Sequence, residues 1–254
     1  MQSITMTQVV ANSAVASPAP IAAVGLSPLV SVVVPTFREA ANIPELVERI
    51  EKCLERPELV IVDDNSNDGT EQVVAALGRE WVRLLVRRDE RGLSSAVIAG
   101  CRLATAPAIV VMDADLSHPP EAIPAMLAAM KSGNDFVLGS RYVKGGTTDS
   151  AWTLFRRVNS LVATALAKPL TSLADPMSGF FAMSREHFRA TTNLNPIGYK
   201  IALEMLVKGP FCKPAEVPIH FADRKRGESK LSLKEQARYV RHVLRLYRYK
   251  ALGW

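Results

Sequence analysis

A chain of 254 residues with 48% hydrophobic and 22% charged content has ordinary globular usage, which excludes bulk disorder, a collagen-like chain and a disulfide scaffold. Three widely spaced cysteines, Cys53, Cys101 and Cys212, with no CxxC, argue against a zinc knuckle and suit a reducing compartment. The formal net charge is +6, and +5 of it falls in residues 232–254, so the basic character is a C-terminal feature.

Residues 1–28 carry no positive leader, and their short apolar run is broken by Pro18 and Pro20. They read as a flexible extension rather than a signal peptide, and no window is apolar enough to span a bilayer. From Leu29 onward the pattern alternates. Apolar, β-branched runs at Leu29–Pro35, Leu59–Asp63, Val82–Val86, Ala108–Asp113 and Phe136–Gly139 predict strands covered on both faces. Between them, Asn42 and Glu45 suggest a capping box opening Ile43–Leu54, and Asp68 a cap for Thr70–Leu77. Gly92 precedes a helix over Leu93–Ala104, and Pro119–Pro120 open one through Met130. Further on, Ala151–Lys168 and Tyr199–Lys208 read as helices and Gly179–Met183 as a short strand. Ala215–Phe221 reads as an edge strand because Pro214 and Pro218 bracket it, and Leu231–Ala251 as a last helix. Strand–helix alternation predicts an α/β fold with a mostly parallel central sheet, whose ligands bind beyond the carboxyl ends of the strands.

Two strands run straight into acids at those ends: Asp63-Asp64 in one, Asp113-Ala114-Asp115 in the other. Close carboxylates repel unless something positive lies among them. The chemistry that suits the arrangement is a divalent cation, Mg2+ or Mn2+, bridging the diphosphate of a nucleotide. GxGxxG, GxxxxGK[ST] and HExxH are all absent, which leaves a dinucleotide-binding dehydrogenase, a P-loop nucleotidase and a zinc protease without support.

Ordered blocks then carry a resemblance: Val34-Pro35-Thr36-Phe37-Arg38-Glu39, Asp63-Asp64-Asn65-Ser66, Asp113 through Pro120, Gly139-Ser140-Arg141-Tyr142, Asp175 through Phe181, Gly198-Tyr199-Lys200, and Glu216 through Leu231. The chain resembles inverting GT-A glycosyltransferases, and among them the dolichyl-phosphate (polyprenyl-phosphate) mannose synthases. The resemblance implies a single GT-A domain over residues 29–231. It implies that Pro35, Phe37, Glu39, Val62 and Asp64 line the guanine and ribose pocket, with Ala114 beside the ribose and diphosphate. By the same resemblance Asp113 and Asp115 would hold the cation, and Arg141, Arg224 and Lys230 would face phosphate oxygens and, with Asp115, carry catalysis. Arg141, Arg156 and Arg157 are candidates for the acceptor phosphate. Phe37 stands where many relatives carry Tyr, Ser117 where many carry Gln, and Arg38 where Asn is common.

The implied reaction is metal-dependent transfer of mannose from GDP-mannose to a dolichyl or polyprenyl phosphate, with inversion to a β-mannosyl phosphoryl polyprenol. Another donor such as UDP-glucose, or a non-catalytic nucleotide-sugar or lipid-binding subunit, stays open. A QxxRW motif is absent, which argues against processive polysaccharide synthesis. The lipid acceptor implies work at the cytoplasmic face of a membrane. Residues 232–254 offer a basic amphipathic helix for its interface: Leu233, Ala237, Val240, Leu244, Tyr247 and Ala251 recur at helical spacing among Arg238, Arg241, Arg245 and Arg248. A membrane-protein partner stays open, and no motif supports nucleic-acid binding.

Overall fold

The computed structural model describes residues 27–149, 154–195, 197–223 and 233–252, without the side chains of residues 154–159 and 233–234. The N-terminal extension (residues 1–26), Arg224 and Lys230 lie outside the described residues, as do the side chains of Arg156 and Arg157. The chain runs β1 (Val30–Thr36), α1 (Ile43–Cys53), β2 (Pro57–Asp63), α2 (Thr70–Leu77), β3 (Val82–Val86), α3 (Leu93–Leu103), β4 (Ala108–Val111), α4 (Ile123–Lys131) and β5 (Phe136–Ser140). Then follow β6 (Thr147–Thr148), α5 (Leu154–Ala167), β7 (Phe181–Ser184), α6 (Arg185–Ala190), α7 (Ile201–Lys208), β8 (Pro214–Pro218), β9 (His220–Phe221) and α8 (Leu233–Leu252).

Seven strands form one sheet in the order β3-β2-β1-β4-β7-β5-β8. All run parallel except β7, which pairs antiparallel with β4 and with β5. The α/β expectation is met, and β8, bracketed by its prolines, does lie at an edge. A separate pair of short parallel strands, β6 and β9, stands beyond the end of β5.

Each central strand is apolar on both sides because helices cover both faces. Val30, Val32 and Val34 pack with Ile43, Leu46 and Ile50 of α1 and Ile123 and Met126 of α4. Val33, Val60 and Val62 face α3 and α7 on the other side. Ser31, a buried polar residue near the start of β1, belongs to a buried cluster at the amino end of the sheet. Its hydroxyl donates to Glu58, which also accepts from Thr105 N at 2.8 Å and Arg83 at 2.8 Å. Burial pushes the Glu58 carboxyl up, but these donors outweigh it and hold it below its ordinary range.

The capping box does not form. Residues Ala40–Asn42 already turn as a 3-10 helix, so Asn42 has helical backbone angles and its Nδ2 donates to Glu39 Oε2 at 2.6 Å instead of its side chain capping α1. Asp68 does serve α2, accepting Thr70 N at 3.2 Å and the Thr70 hydroxyl at 2.7 Å. On α8, Tyr239, His242, Val243 and Leu246 are buried against the domain, while Ala237, Val240, Leu244 and Ala251, of the stripe expected at a membrane interface, are exposed.

Helix α3 approaches β1 and β2 where residue 100 has no side chain. A Cβ at Gly100 would come within 2.9 Å of Val62 Cγ2 and closer still to Val33 Cγ1. Gly100→Ala should therefore destabilise the fold by about 1–3 kcal/mol through overpacking, read as a lower urea midpoint at unchanged slope.

Candidate active site

Parallel strands deliver the ends of β1, β2, β4 and β5 to one rim of the sheet, which is where the predicted residues lie. At the end of β2 the two acids divide their work. Asp63 holds its own turn, accepting the Ser66 backbone N–H at 2.9 Å and its hydroxyl. Asp64 accepts from Arg87 Nε at 2.7 Å through one oxygen and from Gly92 N at 2.8 Å through the other. Arg87 is buried and continues to the Ser95 hydroxyl at 2.9 Å and Gly92 O at 3.0 Å. It is the positive group that makes the paired carboxylates tolerable.

The loop after β1 is tied to this turn: Arg38 N donates to Ser66 Oγ at 2.8 Å and Ala40 N to Asp68 Oδ2 at 3.0 Å. The half-buried Phe37 ring is flanked by the guanidinium groups of Arg38 and Arg91, 5.2 and 5.4 Å from its centroid. Pro35 and Val62 sit opposite each other in register, both buried, with Val62 packed toward α3. Arg38, Asn65 and Asn67 all have left-handed backbone, φ 63°, 54° and 52°. Such strain gathers in loops that the surrounding bonds over-determine. A cavity of about 350 Å³ opens beside them, lined among others by Asp63, Asn67, Asp68 and Gln72.

Beyond β4, Asp113 and Asp115 present two carboxylates around the buried Ala114. Asp113 keeps 30% of its side chain exposed, whereas Asp115 is 4% exposed. One Asp115 oxygen accepts from Ser117 N at 3.1 Å and from the Ser117 hydroxyl at 2.5 Å. Ser117 is itself buried and braces Asp115. His118 is spent on the backbone, its Nδ1 accepting Asp113 N at 3.1 Å. Among the described residues no three His, Cys, Asp or Glu side chains gather in a metal-holding group. Two hard oxygen donors on one turn suit Mg2+ or Mn2+, which take one or two carboxylates and complete their shell from phosphate and water.

Arg141, one residue past β5, is held by Asp175. The Asp175 carboxylate, wholly buried, accepts Arg141 N at 3.0 Å, Nε at 2.7 Å and an η-nitrogen at 2.7 Å. Burial works to lower the guanidinium pKa, but the Asp175 carboxylate outweighs it and raises it. The same guanidinium lies over the Phe221 ring at 5.2 Å. Close by, Lys200 donates to Met177 O at 2.7 Å. Burial and the nearby Arg141 push its ammonium down to about 8.

The structure thus brings Asp113, Asp115 and Arg141 together, and groups Phe37, Glu39 and Asp64 at the neighbouring strand ends. It also adds residues to which the sequence reading gave no role: Arg87, Asp175 and Lys200. Asp175 and Lys200 stood in quoted blocks, and a charge in an otherwise apolar block was the available signal.

A family model described as glycosyl transferase family 2 matches residues 31–191. Three curated relatives are each named dolichol-phosphate mannosyltransferase. The one from Mycosarcoma maydis is 46% identical over 237 residues, covering 88% of this chain and 81% of its own. That from Pyrococcus furiosus is 44% identical over 228 residues, and this chain spans 64% of its length. That from Saccharomyces cerevisiae is 41% identical over 234 residues, 87% of each chain. Among solved structures, glucosyl-3-phosphoglycerate synthase from Mycobacterium tuberculosis, in complex with Mn2+, UDP and glucosyl-3-phosphoglycerate, superposes at TM-score 0.64 with 20% identity over 88% of this chain and 80% of that one. At that identity the likeness speaks to the fold.

Removing the carboxylate beneath Arg141 leaves a buried charge uncompensated. Asp175→Ala should destabilise the protein by about 3–5 kcal/mol in urea unfolding.

Proposed function

The chain belongs to glycosyl transferase family 2, and from that premise we propose that it transfers mannose from GDP-mannose to a polyprenyl phosphate such as dolichyl phosphate. It is a glycosyltransferase, and the observation that carries the finer reading is its similarity, at 41–46% identity over most of its length, to three relatives named dolichol-phosphate mannosyltransferase. The chemistry of the strand ends fits. A monoalkyl phosphate has a second pKa near about 6 and is largely a dianion at neutral pH, so it needs no strong base. One of its oxygens attacks the sugar C1 as the C1–O bond to GDP breaks, and GDP departs with the electron pair. A single displacement of this kind inverts the α-linked donor to a β-linked product.

The difficulty is bringing two anionic phosphates together, and fixed positive charge at the site answers it. Arg141 supplies such a charge, and Arg224 and Lys230 are the further cations proposed for the phosphates, with Arg156 and Arg157 for the acceptor. When bound by Asp113 and Asp115, Mg2+ or Mn2+ would neutralise charge on the departing diphosphate. Phe37, Glu39, Asp64, Pro35, Val62 and Ala114 are proposed for the nucleoside side of the donor. Asp64, clamped by Arg87 and Gly92, would offer a fixed acceptor edge there.

A lipid acceptor requires contact with a bilayer, for which the cytoplasmic face is the one proposed, and no helix among the described residues is long and apolar enough to cross one. Peripheral contact is supported by α5 and α8. Tyr239 and Tyr247 of α8 donate to Ala163 O and Leu166 O of α5, both at 2.6 Å. These tied helices present Val240, Leu244 and Leu252 on one, and Leu161, Val162 and Leu166 on the other, to solvent. Arg241 and Arg248 are exposed beside them, as anionic lipid headgroups would favour.

Radiolabelled sugar supplied as GDP-mannose should appear in organic-extractable polyprenyl phosphate only with Mg2+ or Mn2+ present and not with EDTA. Asp115→Asn should lower that rate by about 100-fold or more. Label arriving from UDP-glucose in place of GDP-mannose would refute the donor. Separately, Leu244→Glu should weaken sedimentation with vesicles containing phosphatidylserine about tenfold or more while leaving the unfolding midpoint unchanged. Undiminished sedimentation would remove α8 from the interface.

A further inference from the structure

We infer that His118 is a positioning residue: its Nδ1, by accepting the Asp113 amide, fixes the loop that presents the cation-binding carboxylate. The inference rests on the cation-dependent reading above and assigns a role to a side chain to which that reading gives none.

The loop from Asp113 to His118 is short and strained. Leu116 has left-handed backbone, φ 63°, although it is a bulky, buried residue. A non-glycine residue holds that conformation only when its surroundings over-determine it. Four hydrogen bonds help do so: Asp113 N to His118 Nδ1 at 3.1 Å, Ser117 N and the Ser117 hydroxyl to Asp115 at 3.1 and 2.5 Å, and Ala222 N to Ser117 O at 3.2 Å. The first spans the whole loop and closes it into a ring.

The acceptor is itself immobilised from outside the loop. The His118 ring, 2% exposed, stacks on Phe180 with centroids 5.2 Å apart and meets the edge of Phe221 at 5.4 Å. Phe180 belongs to the buried segment entering β7, and Phe221 to β9, so two separate parts of the fold set the ring plane. Gly179 completes the layer: a Cβ there would sit 3.6 Å from His118 Cε1 and 3.7 and 3.8 Å from the Asp113 carboxylate oxygens. Because Phe221 also underlies the Arg141 guanidinium, one packed column sets Asp113 and Arg141 relative to each other. With Nδ1 accepting from an amide, the ring proton is on Nε2, so the Nδ1 lone pair is committed to the amide rather than to a metal.

Two substitutions separate the acceptor from the ring. His118→Phe keeps the stacking and removes the ring acceptor that Asp113 N–H uses, while His118→Asn loses the ring and keeps an oxygen at the position of Nδ1. Binding of Mn2+ in the presence of GDP, followed by the paramagnetic resonance of free Mn2+, should weaken about 10- to 100-fold in His118→Phe and stay within about threefold of wild type in His118→Asn. Nitrogen-15 resonances of the wild-type imidazole should show Nδ1 unprotonated at neutral pH. Mn2+ binding by His118→Phe equal to wild type, equal losses in both variants, or a protonated Nδ1 would each overturn the inference and leave the cation reading standing. Absence of Mn2+ binding by the wild-type chain would overturn the cation reading itself. Should either variant fold poorly, a through-hydrogen-bond nitrogen–nitrogen coupling between the Asp113 amide and His118 Nδ1 in the wild-type chain still decides, and its absence would overturn the inference.

Discussion

The buried pair between Arg141 and Asp175 is the interaction on which the reacting side of the molecule depends. Asp175 has no exposed surface, and it binds both the backbone and the guanidinium of Arg141. Its own segment is held from the far edge of the sheet, where Glu216 of β8 accepts Ala174 N at 2.6 Å and Asp175 N at 2.9 Å. Ser178 then donates to Gly139 O at 2.7 Å, and Gly139 N to Phe180 O at 2.8 Å, which seats the chain in the groove between β4 and β5 before it turns into β7. A buried pair contributes little net stability when whole and is expensive to break, so its value lies in location. It fixes a cation just past the end of β5, on the same rim of the sheet as the two carboxylates beyond β4.

That separation is an electrostatic device. Carboxylates at the rim are matched one by one to fixed donors: Asp63 to Ser66, Asp64 to Arg87 and Gly92, Asp68 to Thr70 and Ala40, Asp115 to Ser117. At Asp113 the fold grips the backbone through His118, while the side chain is 30% exposed and one of its oxygens lies 3.7 Å from His118 Nδ1. A carboxylate whose main chain is held and whose side chain stays partly exposed is positioned at the rim without being buried. The amino end of the sheet shows the contrast. There Glu58 is saturated by Ser31, Thr105 and Arg83 and has nothing left to offer a ligand.

Much of this was legible beforehand. Parallel strands buried on both faces announce themselves as unbroken β-branched runs, and β3 and α2 carry the predicted bounds, Val82–Val86 and Thr70–Leu77. Acids that terminate such runs gain no packing energy, so their chemistry could be read from position alone. What escaped depends on tertiary neighbours. Asn42 looked like a cap because sequence reports residue types and not the 3-10 turn that had already claimed it. The antiparallel direction of β7 follows from a segment held by Glu216 across 41 residues of sequence, which no local period encodes. The partner of Asp64 is Arg87, one residue beyond a neighbouring strand, and only strand order brings the two together.

The seat of α8 depends on tertiary neighbours too. The stripe of Ala237, Val240 and Leu244, expected at a membrane interface, is exposed, and the face buried on the domain is Tyr239, Val243 and Leu246, with His242 between them, which helical spacing alone did not single out. The chosen face packs with Met177 and Leu203, and Met177 is also the residue whose carbonyl receives the Lys200 ammonium beneath Arg141. Leu203 lies one turn into α7, the helix that Lys200 begins. Read as a sequence α8 is an appendage with a charge excess, but in the fold its buried face packs on α7 and on the segment that follows Asp175. Any surface that receives its outer stripe of Val240 and Leu244 is met by an element whose inner stripe rests on the segment carrying Asp175.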